Sequence, residues 1–161
     1  DLGGVVGQIG MGQHGTAFAH AGMRMGPAIC YEGLYGDFYG DFVRRGAQFM
    51  AIISNDGWWG DTPGYKHLFT ISRLRAIEHR RAIARSANTG MSGFISARGD
   101  IGETLGWEKR GVISAAVPLN SELTFYTRYG DYLGRISEYL TLLCVLYYIA
   151  YRVKRKNYLV K

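Results

Sequence analysis

The residues with the clearest chemical potential are Cys30 and the acid two positions later, Glu32. Cys30 follows an apolar stretch, residues 23–29, that predicts a β-strand, and Pro27 within it indicates an irregular strand or one near a sheet edge. A helix beginning near Glu32 would lower the pKa of the Cys30 thiol and supply backbone N–H groups to an oxyanion. An isolated cysteine among apolar residues is usually a small buried hydrophobe, so the neighbours of Cys30 decide between nucleophile and inert thiol.

The segments after Cys30 predict one β-α-β unit. Apolar residues recur with helical spacing across residues 34–42, and Gly46 stands where a helix C-terminus is expected. The apolar run 49–53 then predicts a strand buried on both faces of a sheet. Such crossovers make the two strands parallel, so Cys30 and the Ser54-Asn55 pair should lie close together at one sheet edge.

Further segments extend this α/β pattern. The sequence predicts strands at residues 16–20, 82–86, 91–97 and 112–117, a turn at Ala21-Gly22, a helix from about Asp61-Thr62-Pro63 to Arg81, a hairpin turn at Arg98-Gly99-Asp100, and a loop at residues 88–90 near the sheet edge of Cys30. Residues 1–15 are glycine-rich and predict a loop. Their match to G-x-G-x-x-G precedes a strand-like segment instead of opening a helix, so we do not expect a dinucleotide site.

The C-terminal region predicts a membrane anchor. Residues 139–151 carry no charge, and the apolar character extends over residues 136–153, near the lower length limit of a spanning helix. Five basic residues and no acid follow in residues 152–161, which accounts for most of the net charge of +6. A basic cluster after an apolar run is typical of a membrane-surface anchor and argues against a nucleic-acid partner. A buried or amphipathic helix is the alternative.

Other polar residues predict structural roles. Cys144 lies in the apolar C-terminal run, so we expect no disulfide with Cys30. The four histidines show no metal-ligand spacing, so no metal site is predicted. Arg75 and Glu78 can pair on one helix face, with Arg81 nearby. The default expectation for four aspartates is a turn or cap role: Asp37, Asp41, Asp56 and Asp61.

Two segments together carry a specific family resemblance. Residues 26–32 (GPAICYE) and 53–60 (ISNDGWWG) resemble the nitrilase superfamily and, within it, the apolipoprotein N-acyltransferase family. The likeness continues through residues 65–68, 73–78, 86–90 and 98–100, and ends in an apolar helix with a basic tail.

The resemblance implies an α/β fold: the C-terminal part of a nitrilase-like α-β-β-α sandwich in residues 1–135, followed by one transmembrane helix at 136–153 and a basic cytoplasmic tail at 154–161. It also implies a Glu-Lys-Cys triad in which Cys30 takes an acyl chain from a phospholipid donor as a thioester and passes it to a diacylglyceryl-lipoprotein acceptor. No cofactor is implied. The catalytic part would face the periplasm from the bacterial inner membrane.

Site residues follow from the same resemblance. Cys30 would be the nucleophile and Glu32 a second catalytic residue, with Tyr31 beside them. Asn55 belongs to the second motif, and Trp58 and Trp59 fall where a mobile loop would border acyl chains, although core packing of one tryptophan is an alternative.

The sequence departs from the family pattern in one respect. The glutamate and lysine of the triad precede the cysteine in the family, whereas residues 1–29 contain neither residue type and the first lysine is Lys66. We therefore expect these 161 residues to be part of a longer protein, with the missing triad residues and several spanning helices upstream, and to be inactive alone. Two other functions stay open: a soluble-type amidase that uses the same cysteine, and a non-catalytic membrane-tethered binding module.

Overall fold

The computed structural model of the protein describes residue 12 and residues 14–159. Within this part, six strands form a mixed sheet in the order β1-β2-β3-β4-β5-β6: Phe18–His20, Met23–Ile29, Phe49–Ser54, Ile83–Ala87, Ser92–Ile95 and Ile101–Leu105. Four α-helices accompany them: α1 (Gly36–Arg44), α2 (Pro63–His79), α3 (Phe125–Tyr129) and α4 (Tyr132–Leu159). Two short 3-10 helices span Cys30–Leu34 and Gly57–Trp59.

The predicted β-α-β unit is confirmed by the pairing of the central strands. β2 pairs with β3 and β3 pairs with β4 in parallel, whereas β1, β5 and β6 join in antiparallel fashion. Ile29 lies beside Ile53, and Ser54 lies beside Ala87. Three strands therefore end at the same edge, where a ligand site of an α/β sheet is expected.

Local sequence explains the ends of α1 and α2. Gly46 follows α1 with φ +97°, a conformation that glycine adopts without steric cost. The Thr62 side chain accepts a hydrogen bond from the Gly64 N–H (3.3 Å), and Pro63 occupies the first turn of α2. Arg80 ends α2 in the left-handed region. These boundaries agree with the sequence-based prediction.

The core lies between one face of the sheet and helices α1 and α2. Alternate residues of β3 point into it, so Met50 and Ile52 are buried whereas Ile53 is 57% exposed. Ile29, at the end of β2, is likewise 61% exposed. The second face of the sheet thus presents apolar side chains to solvent, and a groove of about 590 Å³ runs over it.

One strand prediction is wrong and one strand was missed. Residues 112–117 form no strand, and Val112 is 95% exposed. The sheet is instead completed by β6 (Ile101–Leu105), which leaves the predicted hairpin turn at residues 98–100. Apolar composition alone does not form a strand without a partner, whereas a half-polar segment pairs readily when a tight turn returns it to its neighbour.

Helix α4 contains a stretch suited to a membrane. Tyr132–Arg152 has a mean hydropathy of 1.3, and no residue of its most apolar window is buried. This stretch begins four residues before the predicted span 136–153, and the helix continues to Leu159. By length and composition alone, α4 can cross a bilayer. The predicted loop at residues 1–15 lies almost entirely outside the described residues.

Candidate active site

Cys30 lies in a strained turn between β2 and α1. The predicted strand at residues 23–29 is confirmed as β2, and Cys30 follows it as the first residue of the 3-10 helix Cys30–Leu34. The Cys30 φ is +52°, in the left-handed region that few residues other than glycine adopt. Its side chain is partly exposed. Such strain persists only where the surroundings enforce it, and it is concentrated at functional sites.

The end of β3 reaches the Cys30 sulfur, as predicted. Ser54 Oγ lies 3.8 Å from Cys30 Sγ. Ser54 is itself buried and donates a hydrogen bond to Asp56 Oδ1 (2.5 Å). The loop after β4 joins the same edge, because the Asn88 N–H donates to the Ser54 carbonyl (3.2 Å).

Asp56 occupies the N-cap position of the 3-10 helix Gly57–Trp59, in line with the predicted turn or cap role, but its side chain makes no capping hydrogen bond. Its side chain is fully buried, and both carboxylate oxygens accept hydrogen bonds from Arg85 Nη2 at 2.9 Å. Arg85 is buried as well, which is unusual for a charged pair and requires mutual pairing. The sequence did not reveal the ion pair of this side chain, because a carboxylate in a loop sequence gives no sign of a buried cation on a neighbouring strand.

Glu32 holds the backbone that precedes Cys30. Its Oε2 accepts a hydrogen bond from the Ile29 N–H (2.7 Å), so the carboxylate closes the turn around the sulfur-bearing residue. Tyr31 lies between Cys30 and Glu32 in the sequence and is 46% exposed. The structure therefore brings Cys30, Tyr31 and Glu32 together in one turn.

The second motif forms an exposed loop next to this turn. Asn55 Oδ1 accepts a hydrogen bond from the Gly57 N–H (3.2 Å). Trp58 is 80% exposed, whereas the Trp59 ring lies against the first turn of α2 at Gly64. The two tryptophans thus have different environments: Trp58 faces solvent and Trp59 is partly packed.

Sequence reasoning missed three residues of this edge: Ser54, Asp56 and Arg85. Ser54 was expected near Cys30 but without a role. A signal existed for Arg85, because a charged residue within the predicted strand 82–86 must find a buried partner. Among the described residues, no group of three potential ligands is arranged to hold a metal ion.

Sequence comparison identifies relatives of this chain. A family model described as carbon-nitrogen hydrolase matches residues 6–123. The chain is 45% identical over 109 residues to an apolipoprotein N-acyltransferase of Chlorobaculum tepidum, a match that covers 68% of this chain and 20% of that protein. It is 42% identical over 97 residues to the apolipoprotein N-acyltransferase of Rhizobium meliloti, with 60% and 18% covered. The chain thus spans about a fifth of the length of these relatives.

Solved structures share the fold. A mutant of the amidase from Nesterenkonia sp. AN1, which shows the result of Michael addition of acrylamide at the active-site cysteine, matches with a TM-score of 0.54 and 16% identity, over 80% of this chain and 50% of the other. A Saccharomyces cerevisiae member of branch 10 of the nitrilase superfamily gives a TM-score of 0.55 and 20% identity, over 63% and 40%. The predicted nitrilase-like fold is confirmed. Since the family model spans more than half of its residues, the chain belongs to the carbon-nitrogen hydrolase family.

Proposed function

We propose that this chain is part of an apolipoprotein N-acyltransferase in which Cys30 carries the acyl group. The observation that carries the proposal is the strained, partly exposed Cys30 at the carboxyl edge of a nitrilase-type sheet. Relatives that share up to 45% identity bear the name of this enzyme. The active-site cysteine of the Nesterenkonia amidase supports a nucleophilic role for a cysteine in this fold.

The proposed reaction has two acyl-transfer steps. The Cys30 thiolate attacks the ester carbonyl of a phospholipid, the C–O bond breaks, and the lysophospholipid leaves as an alcohol after gaining a proton. The N-terminal amine of a diacylglyceryl-cysteine then attacks the thioester, the C–S bond breaks, and an amide forms. The amine loses a proton and the thiol regains one. The family's glutamate would be the general base and its lysine would complete the triad; we place both residues upstream, so residues 1–161 alone should show no turnover.

The remaining site residues are proposed to bind substrate. Trp58 is 80% exposed on the loop after β3, the strand whose last residue contacts Cys30, and this suits contact with an acyl chain. Tyr31 is part of the Cys30 turn, Asn55 lies in the loop after β3, and the Trp59 ring packs against the start of α2 at Gly64.

We propose that α4 anchors the enzyme in the bacterial inner membrane. Its middle exposes large apolar side chains all around, among them Leu143 and Leu146. The basic residues that follow would mark the cytoplasmic end, with the Cys30 site on the periplasmic side. Residues 1–161, expressed without the predicted upstream helices, should therefore stay in the membrane pellet after an alkaline carbonate wash, and their appearance in the supernatant would refute the anchor.

The decisive experiment detects the acyl-enzyme. Full-length protein incubated with a phospholipid carrying a labelled acyl chain should form a hydroxylamine-labile adduct on Cys30, and Cys30→Ala should form none. Cys144→Ala is the matched control, because Cys144 is an exposed thiol on α4 and its loss should leave the adduct unchanged. A label on Cys144, or none on wild type, would overturn the proposal.

A soluble-type amidase is the second candidate, and the fold likeness to the Nesterenkonia amidase favours it. Such an enzyme would release ammonia from short amides and would leave phospholipids unreacted. Assaying the same preparations for ammonia separates the two functions.

A further inference from the structure

Behind the Cys30 turn, three buried polar side chains form a continuous hydrogen-bonded chain. Arg85 Nη2 binds both oxygens of Asp56, Asp56 Oδ1 accepts from Ser54 Oγ, and Ser54 Oγ contacts Cys30 Sγ. Arg85 lies on β4, Asp56 lies in the loop after β3, and Ser54 is the last residue of β3. It therefore links the middle of the sheet to the nucleophile turn.

The Asp56 end of this chain is fixed from several sides. Arg85 Nε donates to the Met91 carbonyl (3.2 Å), which orients the guanidinium toward Asp56. Gly90 lies against the carboxylate so closely that a Cβ there would overlap Asp56. A buried ion pair adds little to stability relative to apolar residues of the same shape, because desolvation offsets the attraction. A rigid carboxylate beside Ser54 thus calls for an explanation other than stability.

The direction of the Ser54 proton supplies that explanation. A serine hydroxyl has one proton to donate and two lone pairs to accept. The 2.5 Å contact with a buried carboxylate is charge-assisted, whereas the 3.8 Å contact with sulfur is weak. The proton therefore points at Asp56, and a lone pair of Ser54 faces the Cys30 thiol.

We propose that Arg85, Asp56 and Ser54 are positioning residues for Cys30: the ion pair orients Ser54, and Ser54 Oγ accepts the S–H of the resting thiol. This inference rests on the proposed function. The contact selects one Cys30 χ1 rotamer in the resting enzyme; the S–H then rotates about the Cβ–Sγ bond from Ser54 to the base, which removes the proton. A sulfur that carries an acyl group has no S–H to donate, so Ser54 acts in the acylation step and not in transfer to the amine.

The test compares Ser54→Ala with Ser54→Thr in full-length protein carrying Cys144→Ala. Without the hydroxyl, the thiol spreads over its staggered rotamers, so Ser54→Ala should slow single-turnover acylation by about threefold to about tenfold. The rate of transfer from a preformed acyl-enzyme should not change. Ser54→Thr keeps the hydroxyl and should restore acylation. The matched control is Asp41→Asn, which breaks the surface ion pair with Arg45 (3.0 Å) far along α1.

Asp56→Asn tests whether Asp56 acts on Cys30 through Ser54. If Asp56 acts through Ser54, Asp56→Asn should slow acylation in wild type and have no further effect in the Ser54→Ala background. Because this variant leaves Arg85 buried without its anion, it can fail to fold. In that case the comparison of Ser54→Ala with Ser54→Thr decides alone. Unchanged acylation in Ser54→Ala, or equal slowing of both steps, would overturn the positioning role.

The alkylation rate of Cys30 by iodoacetamide separates this inference from the proposed function. If wild type forms no acyl adduct, the acyltransferase proposal fails, yet Ser54→Ala should still alter alkylation and Ser54→Thr should restore it. An alkylation rate equal in all three proteins would overturn the positioning role, whatever reaction the enzyme catalyses.

Discussion

Cys30 combines a left-handed backbone with side-chain restraints on both sides of the turn. Glu32 binds the Ile29 N–H before it, and Arg75 Nη1 donates to the carbonyl of Leu34 at its end (3.2 Å). A non-glycine residue with positive φ costs of the order of 1–3 kcal/mol, which these contacts must offset. The assignment of Glu32 as a catalytic residue stays a prediction. Its hydrogen bond to the Ile29 N–H suggests a testable role, which is to hold the turn that carries Cys30.

Substitutions of Glu32 should separate the effect of its hydrogen bond to the Ile29 N–H from the effect of its negative charge. Glu32→Gln keeps an oxygen acceptor for Ile29, so the acylation rate should stay within about threefold of wild type. Glu32→Ala releases the turn; a hydrogen bond to a charged group contributes about 1.5–3 kcal/mol, so the rate should fall by tenfold or more. Glu103→Ala, on the exposed edge strand β6, is the control. Equal loss in the Gln and Ala variants would show that the negative charge itself is required.

At the scale of elements, α3 joins α1 and α2 through a buried polar junction. Thr124 donates its proton to the Glu78 carbonyl (2.6 Å), so it accepts from Thr127 (2.8 Å). Thr127 has then used its proton and must accept from His79 Nδ1 (2.9 Å). The chain of donors thereby assigns the proton of neutral His79 to Nδ1. The junction places α3, which directly precedes α4, against the helices that support the Cys30 turn.

The junction should make stability depend on pH. Burial, reinforced by the nearby Arg75 cation, lowers the pKa of His79 to about 3. The unfolded chain, with a histidine pKa near 6.5, then binds more protons between pH 6.5 and pH 3, so stability is complete above pH 6.5 and is lost as the pH falls. From pH 7 to pH 5, wild type should lose about 2 kcal/mol of unfolding free energy more than His79→Asn.

Denaturant titrations of the protein in detergent at both pH values measure this difference. Glu78, whose pKa is raised by burial against the opposing effect of Arg75, is present in both proteins and cancels in the comparison. His67→Asn changes an exposed histidine and should keep the wild-type pH dependence. If His79→Asn lost stability on acidification as steeply as wild type, the buried neutral histidine would be excluded.

The elements differ in how far their sequence determined them. Strand β2, α1 and β3 were predictable because periodic apolar residues and Gly46 act locally. The missed strand β6 is an exposed edge strand, and its pairing depends on the turn at Gly99 (φ +85°) more than on its own residues. The Asp56–Arg85 pair was not predictable, since 29 positions separate two residues that only the sheet register brings together. Local patterns predict elements; long-range polar pairing does not appear in them.

At the scale of the molecule, one layer of helices and one sheet are visible in the described residues. The free sheet face carries apolar residues, including Ile29 and Ile53, that are more than half exposed. A contiguous apolar surface of this kind marks an interface. In an α-β-β-α sandwich, this face packs against a second sheet. The chain covers about half of the matching Nesterenkonia amidase or less, so we predict that upstream sequence supplies this second sheet.

Replacing Ile53 by aspartate should reveal the covering layer. In the 161-residue chain, kept in detergent, Ile53→Asp should alter stability little, because the new carboxylate stays in water. In the full-length protein the same carboxylate would be buried without a partner, and the unfolding free energy should drop by several kcal/mol. Leu74→Asp is the matched control, since Leu74 is 47% exposed on α2, and it should be mild in both proteins. If Ile53→Asp were equally mild in the full-length protein, no second layer would cover this face, and the groove above it would be open to solvent in the enzyme.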